Sequence, residues 1–261
     1  MLVFAAITPH TPLLLPTQSN NQKKLQPTIA AFEELKKSFN EAKVDTIIIF
    51  SPHGPTLPNT HIINMCDKYK SDLKEFGDIV TKPSFLPDHA LVDKIQRHVR
   101  QTTTSLTLLT CSKLDYATTI PLALLTDPNK PPKIVPIGQS EENHKAHFAF
   151  GELLGDIIAE SPKRIGVIAS SHLSHRTSSE SPDDFSPEGK EYSDLMHEAL
   201  KGGNVSRIVG IDKDLVEKAD QCGLRSILIL LGILSDRPHT PQVFDYNDSL
   251  GVGYITMQFK I

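Results

Sequence analysis

Two histidines in this sequence stand in the same local pattern, each following a proline at the end of an apolar run. His10 follows the run from Leu2 to Ile7, and His53 follows the run from Thr46 to Phe50. Such runs are typical of strands buried on both faces, and ligands of α/β proteins collect at the carboxyl ends of these strands. A lone histidine often does no more than hold a loop in place. Because histidine is the commonest metal ligand, the repeated pattern favours metal binding by both side chains.

Two further histidines follow a third apolar run. The run from Arg164 to Ser170 leads into a short segment that contains His172 and His175. Two histidines three residues apart carry little information alone, but their place after a predicted strand brings them to the same edge. There a histidine can ligate a metal or act as a general acid or base, since its unperturbed pKa is about 6.5.

Cys222 is the third kind of candidate. It stands beside Gly223, just before the apolar helix predicted from Ser226 to Leu234. The macrodipole at a helix N-terminus stabilises a thiolate, which suits metal ligation or redox chemistry. The alternative is that Cys222 is simply a small, buried hydrophobic residue, and the sequence supports this role about equally. The neighbouring Arg225 could bind an anionic substrate, pair with a carboxylate, or lie at the surface.

The remaining histidines are given no chemical role. His144 and His147 lie three residues apart near the start of a helix predicted from Ser140 to Ala159, and we expect them on a solvated face. Five others have no partner in sequence and no place at the end of a predicted strand: His61, His89, His98, His197 and His239.

Composition bounds the class of protein. The chain has 261 residues, 39% of them hydrophobic, so we expect one domain over residues 1–261, with two domains as the alternative. The net charge of −4 argues against a nucleic-acid partner. No apolar run is long enough for a membrane span, and residues 1–15 lack a signal peptide's positive region, which predicts a cytoplasmic protein without membrane contact. Three cysteines do not suggest a disulfide framework, and neither phosphate-binding glycine motifs nor a serine nucleophile elbow is present.

Strands and helices alternate along the chain in the order that brings the candidates together. An amphipathic helix predicted from Thr28 to Ala42 joins the first two strands in a right-handed crossover, which places His10 and His53 on one sheet edge. Asp67 to Phe85 and Arg176 to Pro187 are predicted loops, either of which could close over that edge. The predicted fold is a single α/β domain with a central, mixed, mostly parallel sheet flanked by helices. Further predicted strands are His61 to Cys66, Ser105 to Thr110, Lys133 to Ile137, and a hairpin of Gln242 to Tyr246 with Val252 to Phe259; further predicted helices are Pro87 to Val99, Glu188 to Leu200 and Lys213 to Ala219.

Six short segments follow one another in order along nearly the whole chain. They are Pro9 to Pro16, Ile47 to Gly54, Leu114 to Tyr116 before Pro121, Ala169 to His175, Cys222 with Gly223, and Gly251 to Tyr254. In this order they resemble the class III (LigB-type) extradiol ring-cleavage dioxygenases and the related Memo-like proteins. The resemblance implies a LigB-like fold.

The resemblance also implies a metal centre and a reaction. In the dioxygenases, two histidines and a glutamate hold a non-haem Fe(II), which leaves positions open for a catecholic substrate and O2. His10 and His53 match the two histidine ligands, and His175 matches the acid/base histidine. Cys222 stands where the glutamate is expected, as in the Memo-like branch. The Asp-His pair of many ring-cleaving members corresponds here to Asp115 and Tyr116, so these two residues join His172 and His175 as catalytic candidates.

Three functions follow as hypotheses. The leading one is an Fe(II)-dependent dioxygenase that cleaves a small aromatic diol with O2. The second is a Memo-like protein whose site binds copper or zinc for a redox or partner-recognition role without ring cleavage, because a thiolate ligand favours those metals. The third is a metal hydrolase in which zinc activates water. A homodimer is the default expectation for the assembly.

Overall fold

A computed structural model of the chain describes residues 1–17 and 23–261. Its strands are β1 Leu2–Thr8, β2 Thr46–Phe50, β3 His61–Asn64, β4 Tyr69–Lys70, β5 Ser84–Phe85, β6 Leu106–Leu109, β7 Lys133–Gly138, β8 Ile165–Ser170, β9 Thr240–Asn247 and β10 Tyr254–Lys260. Its helices are α1 Gln26–Ala42, α2 His89–Val99, α3 Tyr116–Leu125, α4 His144–Ala159, α5 Pro187–Lys201, α6 Val205–Val209, α7 Lys213–Lys218 and α8 Leu224–Leu234.

Eight of these strands form one sheet in the order β6-β3-β7-β2-β8-β1-β10-β9. Strands β7, β2, β8 and β1 run parallel, whereas β3 is antiparallel to β7 and β10 is antiparallel to β1 and β9. In the centre, Val167 of β8 pairs with Ile48 of β2 on one side and Ala5 of β1 on the other. The predicted α/β fold with a mixed, mostly parallel sheet is therefore confirmed.

Both faces of the sheet are covered, because successive residues of the central strands enter two different cores. Ile48 packs into the core beneath α4 and α8, and its neighbour Ile49 packs into the core beneath α1 and α3. Helices α4 and α8 approach closely through Gly151 and Gly232, where an added Cβ atom would collide with the opposing backbone. No helix in the described part of the chain has the length and hydrophobicity needed to cross a bilayer.

Several elements differ from the sequence predictions. The segment predicted as a loop, Asp67 to Phe85, contains the antiparallel strands β4 and β5. Helix α4 begins at His144 rather than at Ser140, because the side chain of Asn143 caps it by accepting the N–H of Ala146.

The predicted hairpin near the end of the chain is confirmed by the antiparallel pairing of β9 and β10.

Candidate metal centre

The three histidine-bearing segments leave three adjacent parallel strands at the same edge of the sheet. His10 follows β1, His53 follows β2, and His172 and His175 follow β8, which lies between the other two. Parallel strands direct their carboxyl ends to one edge, so this order alone gathers the histidines. The ring centroids of His10 and His53 lie 5.1 Å apart, and those of His10 and His172 lie 3.8 Å apart.

Cys222 reaches the same edge from the turn before α8. Ser174 forms an isolated antiparallel bridge with Gln221, which ties the segment after β8 to this turn. A Cβ atom on Gly223 would lie only 1.7 Å from the Oγ atom of Ser171. Glycine is therefore required at position 223 for the two segments to approach, and this approach sets Cys222 against the histidines.

His10, His53 and Cys222 together have the spacing of metal ligands. The Nε2 atom of His10 lies 3.7 Å from the Sγ atom of Cys222, and one ligand atom from each residue falls within 4.8 Å of the others. Metal–nitrogen and metal–sulfur bonds of about 2.1 and 2.3 Å separate tetrahedral ligand atoms by about 3.5 Å. The three side chains thus fit a bound metal ion after small adjustments.

Hydrogen bonds fix which nitrogen of His10 is available to a metal. The hydroxyl of Ser170 donates to the carbonyl oxygen of Ala117 at 2.7 Å, so it can only accept from Nδ1 of His10, 2.9 Å away. The proton of the neutral ring consequently lies on Nδ1. The bare Nε2 atom faces Cys222, which is the arrangement of a metal-bound histidine with its supporting hydrogen bond.

The pKa values of His10 and Cys222 favour the uncharged form of both side chains as long as no cation is bound. Burial lowers the pKa of His10 well below its usual value, so the ring stays neutral and can coordinate. Burial raises the pKa of the Cys222 thiol to about 12, which corrects the expectation that the α8 macrodipole would stabilise the thiolate. Desolvation outweighs the dipole at this position. A metal ion would supply the positive charge that a buried thiolate needs.

Asp115 supports the loop that carries His53 through hydrogen bonds. Its carboxylate caps α3 by accepting the backbone N–H of Thr118 at 2.9 Å and accepts the Ser51 hydroxyl at 2.6 Å. The Ser51 oxygen in turn accepts the backbone N–H of His53 at 3.2 Å. The oxygens of Asp115 also accept the Thr118 hydroxyl at 2.8 Å, so this carboxylate serves to orient the His53 loop. Sequence reasoning missed Ser51 and Ser170, since a serine next to a histidine-bearing loop has no distinctive pattern.

Tyr116 lies in the wall of the site. Its ring stacks on His53 with centroids 4.7 Å apart and meets Phe76 edge to face at 5.1 Å. Burial raises the pKa of the Tyr116 phenol to about 12, so at neutral pH the hydroxyl is a hydrogen-bond donor.

His172 and His175 form a hydrogen-bonded pair beside the candidate metal ligands. The backbone N–H of His10 donates to Nε2 of His172 at 3.1 Å, and Nδ1 of His172 lies 3.3 Å from Nε2 of His175. Nδ1 of His175 lies 2.9 Å from the carbonyl oxygen of Asp220. Both side chains also come within ligand distance of Cys222, and His175 comes within ligand distance of the exposed carboxylates of Asp183 and Asp220.

A mostly apolar cavity of about 460 Å³ opens beside these residues. Both Phe76, from the segment between β4 and β5, and Pro182, from the loop before α5, contribute to it. Both predicted loops therefore border the site. The full lining is Thr11, Pro12, Leu13, Phe76, Tyr116, His172, His175, Glu180, Pro182, Leu250, Val252 and Tyr254.

Three other residues discussed above, His61, His147 and Arg225, lie away from this centre. The prediction of a solvated face is wrong for His147, which is fully buried because its side of α4 packs on the sheet against His61. His61 is also buried and stacks on Phe150 with centroids 3.8 Å apart. Arg225 lies in a separate polar cleft with Lys213 and does not line the cavity beside His175.

Fold and site together define an α/β protein with a candidate metal centre at the carboxyl edge of its sheet. Residues 4–256 match the family described as the catalytic LigB subunit of aromatic ring-opening dioxygenase. The match covers nearly the whole chain, so the chain belongs to the LigB family.

Two further proteins are similar to this chain. Protein CA_C1420 of Clostridium acetobutylicum is 28% identical over 264 residues, which cover 97% of this chain and 56% of that protein. The chain therefore spans little more than half the length of this curated relative. A crystal structure described as the uncharacterized protein JW3007 of Escherichia coli K12 superposes with a TM-score of 0.71 at 15% identity, covering 98% of this chain and 99% of the other. That likeness shows the shared fold.

Proposed function

We propose that the chain is a metal-dependent dioxygenase of the extradiol type that opens a small catecholic ring with O2, and that Fe(II) is its metal. The main support for this proposal is the grouping of His10, His53 and Cys222 beside a cavity that is lined by aromatic side chains and His175. His10 stacks on His172 and His53 stacks on Tyr116, and both of these partners line the cavity. A planar aromatic diol suits the apolar walls, while its two oxygens suit chelation by a metal. Membership of the LigB family supports the same reaction class.

The ligand set supports this chemistry by leaving much of the coordination sphere open. Three protein ligands on one side of a metal leave positions for both diol oxygens and O2. When bound, Fe(II) would bind the two diol oxygens and pass electrons to O2. In the complete reaction, the carbon–carbon bond beside the diol breaks and both atoms of O2 enter the product.

The chain's own residues handle the protons and the position of the ring. Nε2 of His175 is a base for a diol hydroxyl: the O–H bond breaks, the electron pair stays on oxygen, and the proton moves to the nitrogen. The protonated Tyr116 phenol can donate a hydrogen bond to an oxygen of the substrate. Phe76 and the apolar residues around it exclude water from the ring.

Cys222 favours a second candidate, a copper- or zinc-binding protein of the Memo-like kind without ring cleavage. A thiolate is a softer ligand than the glutamate of the iron dioxygenases and prefers copper or zinc. Burial of the thiol among neutral imidazoles is consistent with either metal.

An oxygen-electrode assay separates the candidates. The protein is reconstituted anaerobically with Fe(II) and tested against a panel of catechols, with metal content measured in parallel. Oxygen uptake with a coloured ring-fission product, lost in His175→Ala while the iron remains, is the expected result. No uptake with any catechol, together with tight copper or zinc binding that disappears in Cys222→Ser, would overturn the dioxygenase and support the second candidate. Cys111→Ser, at an exposed free cysteine, is the matched control.

A further inference from the structure

The four ring nitrogens of His172 and His175 belong to one chain of hydrogen bonds with backbone groups at both ends. The chain starts at the backbone N–H of His10, which donates to Nε2 of His172 at 3.1 Å. The next hydrogen bond joins Nδ1 of His172 to Nε2 of His175 over 3.3 Å. The last one joins Nδ1 of His175 to the carbonyl oxygen of Asp220 over 2.9 Å.

The backbone groups fix the direction of this chain. An amide N–H can only donate, so Nε2 of His172 must accept and its ring proton must lie on Nδ1. That proton can only be donated to Nε2 of His175, which therefore carries a lone pair. The carbonyl oxygen of Asp220 can only accept, so it requires the proton of His175 on Nδ1, which agrees with the assignment from the other end.

Packing prevents His172 from turning out of this arrangement. Its side chain is 7% exposed, stacks on His10 with centroids 3.8 Å apart, and meets the edge of Tyr254 at 5.3 Å. A half-turn of the ring would leave the buried N–H of His10 without its acceptor. An unpaired buried N–H costs about 1–3 kcal/mol, which disfavours that rotation.

We propose that His172 is a positioning residue that holds His175 with a proton-free Nε2, ready to act as the base. This inference rests on the proposed function, because it takes His175 as the group that receives the diol proton. The bond of 3.3 Å from His172 is long, so a substrate hydroxyl can displace it and donate to Nε2 of His175 in its place.

The same geometry confines the transferred proton to His175. When the O–H bond of the diol breaks and the proton reaches Nε2 of His175, that nitrogen becomes a donor and faces the Nδ1–H donor of His172. His172 cannot accept the proton, because its own Nε2 already accepts from the backbone N–H of His10. The two imidazoles therefore separate, and the protonated His175 is left free to return its proton to the product.

Nuclear magnetic resonance tests the chain of hydrogen bonds without any enzyme assay. Long-range proton–nitrogen spectra of the full chain, labelled with ¹⁵N-histidine and loaded with Zn(II), report which ring nitrogen carries each proton. We expect the proton on Nδ1 of both His172 and His175, and a nitrogen–nitrogen coupling across the bond between them. A proton on Nε2 of His172, or no coupling between the two rings, would overturn the proposal whatever the catalytic activity.

Kinetic measurements on variants test the positioning role once a catechol substrate is found. His172→Phe keeps the stacked ring but removes both nitrogens, and we expect bound metal and KM to change little while kcat falls about 10²-fold. In His172→Asn the amide can donate from nearly the position of Nδ1, so it should recover part of kcat. Equal kcat in wild type and His172→Phe would refute positioning by His172. His197→Phe, whose ring stacks on Tyr246, is the control.

Discussion

The Nε2 atom of His10 lies 3.7 Å from the Sγ atom of Cys222, although 212 positions separate the two residues in sequence. His10 is placed by a central strand, whereas Cys222 is placed by a turn that only a glycine at position 223 allows to come so close. The candidate metal centre is thus built where the end of the sheet meets the beginning of α8. Its supporting hydrogen bonds and its close packing can each be tested by substitution.

Ser170→Ala should weaken metal binding without unfolding the protein. The substitution removes the acceptor for Nδ1 of His10, so the ring is no longer held in the tautomer that presents Nε2. Loss of such a supporting partner typically lowers metal affinity by about 10–100-fold. Zinc titration by calorimetry measures the effect. Ser193→Ala is the matched control, since the hydroxyl of this buried serine has no hydrogen-bond partner among the described residues. Equal zinc affinity in Ser170→Ala and wild type would contradict this role.

Gly223→Ala should damage both stability and the metal centre. The added Cβ atom would lie 1.7 Å from Oγ and 2.7 Å from Cα of Ser171, so relief requires a backbone shift that carries Cys222 away from His10. We expect a loss of about 3 kcal/mol in the free energy of unfolding, together with weaker zinc binding. Denaturant unfolding and zinc titration measure the two effects. At Gly210 the nearest neighbour of an added Cβ atom is the carbonyl oxygen of Ser206 at 3.2 Å, so Gly210→Ala is a mild comparison. Unchanged zinc affinity in Gly223→Ala would show that Cys222 does not depend on this contact.

Asp88 should contribute stability that is lost in acid. Burial alone would raise its pKa, but hydrogen bonds from Lys163, Thr46 and the backbone of Leu91 outweigh burial and hold the pKa below its usual value. A carboxylate with a lowered pKa stabilises the fold above the unfolded value of about 3.9, and this stability disappears as the pH falls through the folded pKa.

Unfolding of Asp88→Asn at several pH values measures this contribution. At pH 7 we expect a loss of about 2 kcal/mol relative to wild type, and the difference should shrink below about pH 4. Asp93→Asn removes a surface ion pair with Arg97, in which both side chains are more than half exposed, and should change stability by less than about 0.5 kcal/mol. A difference for Asp88→Asn that stays constant down to pH 2 would contradict the assignment.

The central strands and the gathering of His10, His53, His172 and His175 could be predicted from the sequence. Continuous apolar runs mark strands buried on both faces, and parallel strands bring the residues that follow them to one edge. The order of the strands along the chain and the rule for parallel strands were sufficient to predict that the histidines lie at one edge.

Contacts between distant segments could not be predicted in the same way. The burial of His147 depends on its packing against His61, which belongs to a strand 86 positions earlier. The pKa of Cys222 depends on desolvation by the surrounding fold. A prediction that considers only the helix dipole does not include this desolvation. The support that Asp115 gives His53 passes through the hydroxyl of Ser51, 64 positions away from Asp115. Such effects arise only when the fold is complete.

X-ray absorption spectroscopy of the Fe(II)-loaded protein tests the metal centre most directly. We expect one sulfur neighbour of the iron at about 2.3 Å together with imidazole nitrogens at about 2.1 Å. The sulfur signal should disappear in Cys222→Ser and persist in Cys111→Ser. A first coordination shell of nitrogen and oxygen alone, unchanged by Cys222→Ser, would contradict the assignment of His10, His53 and Cys222 as the metal ligands.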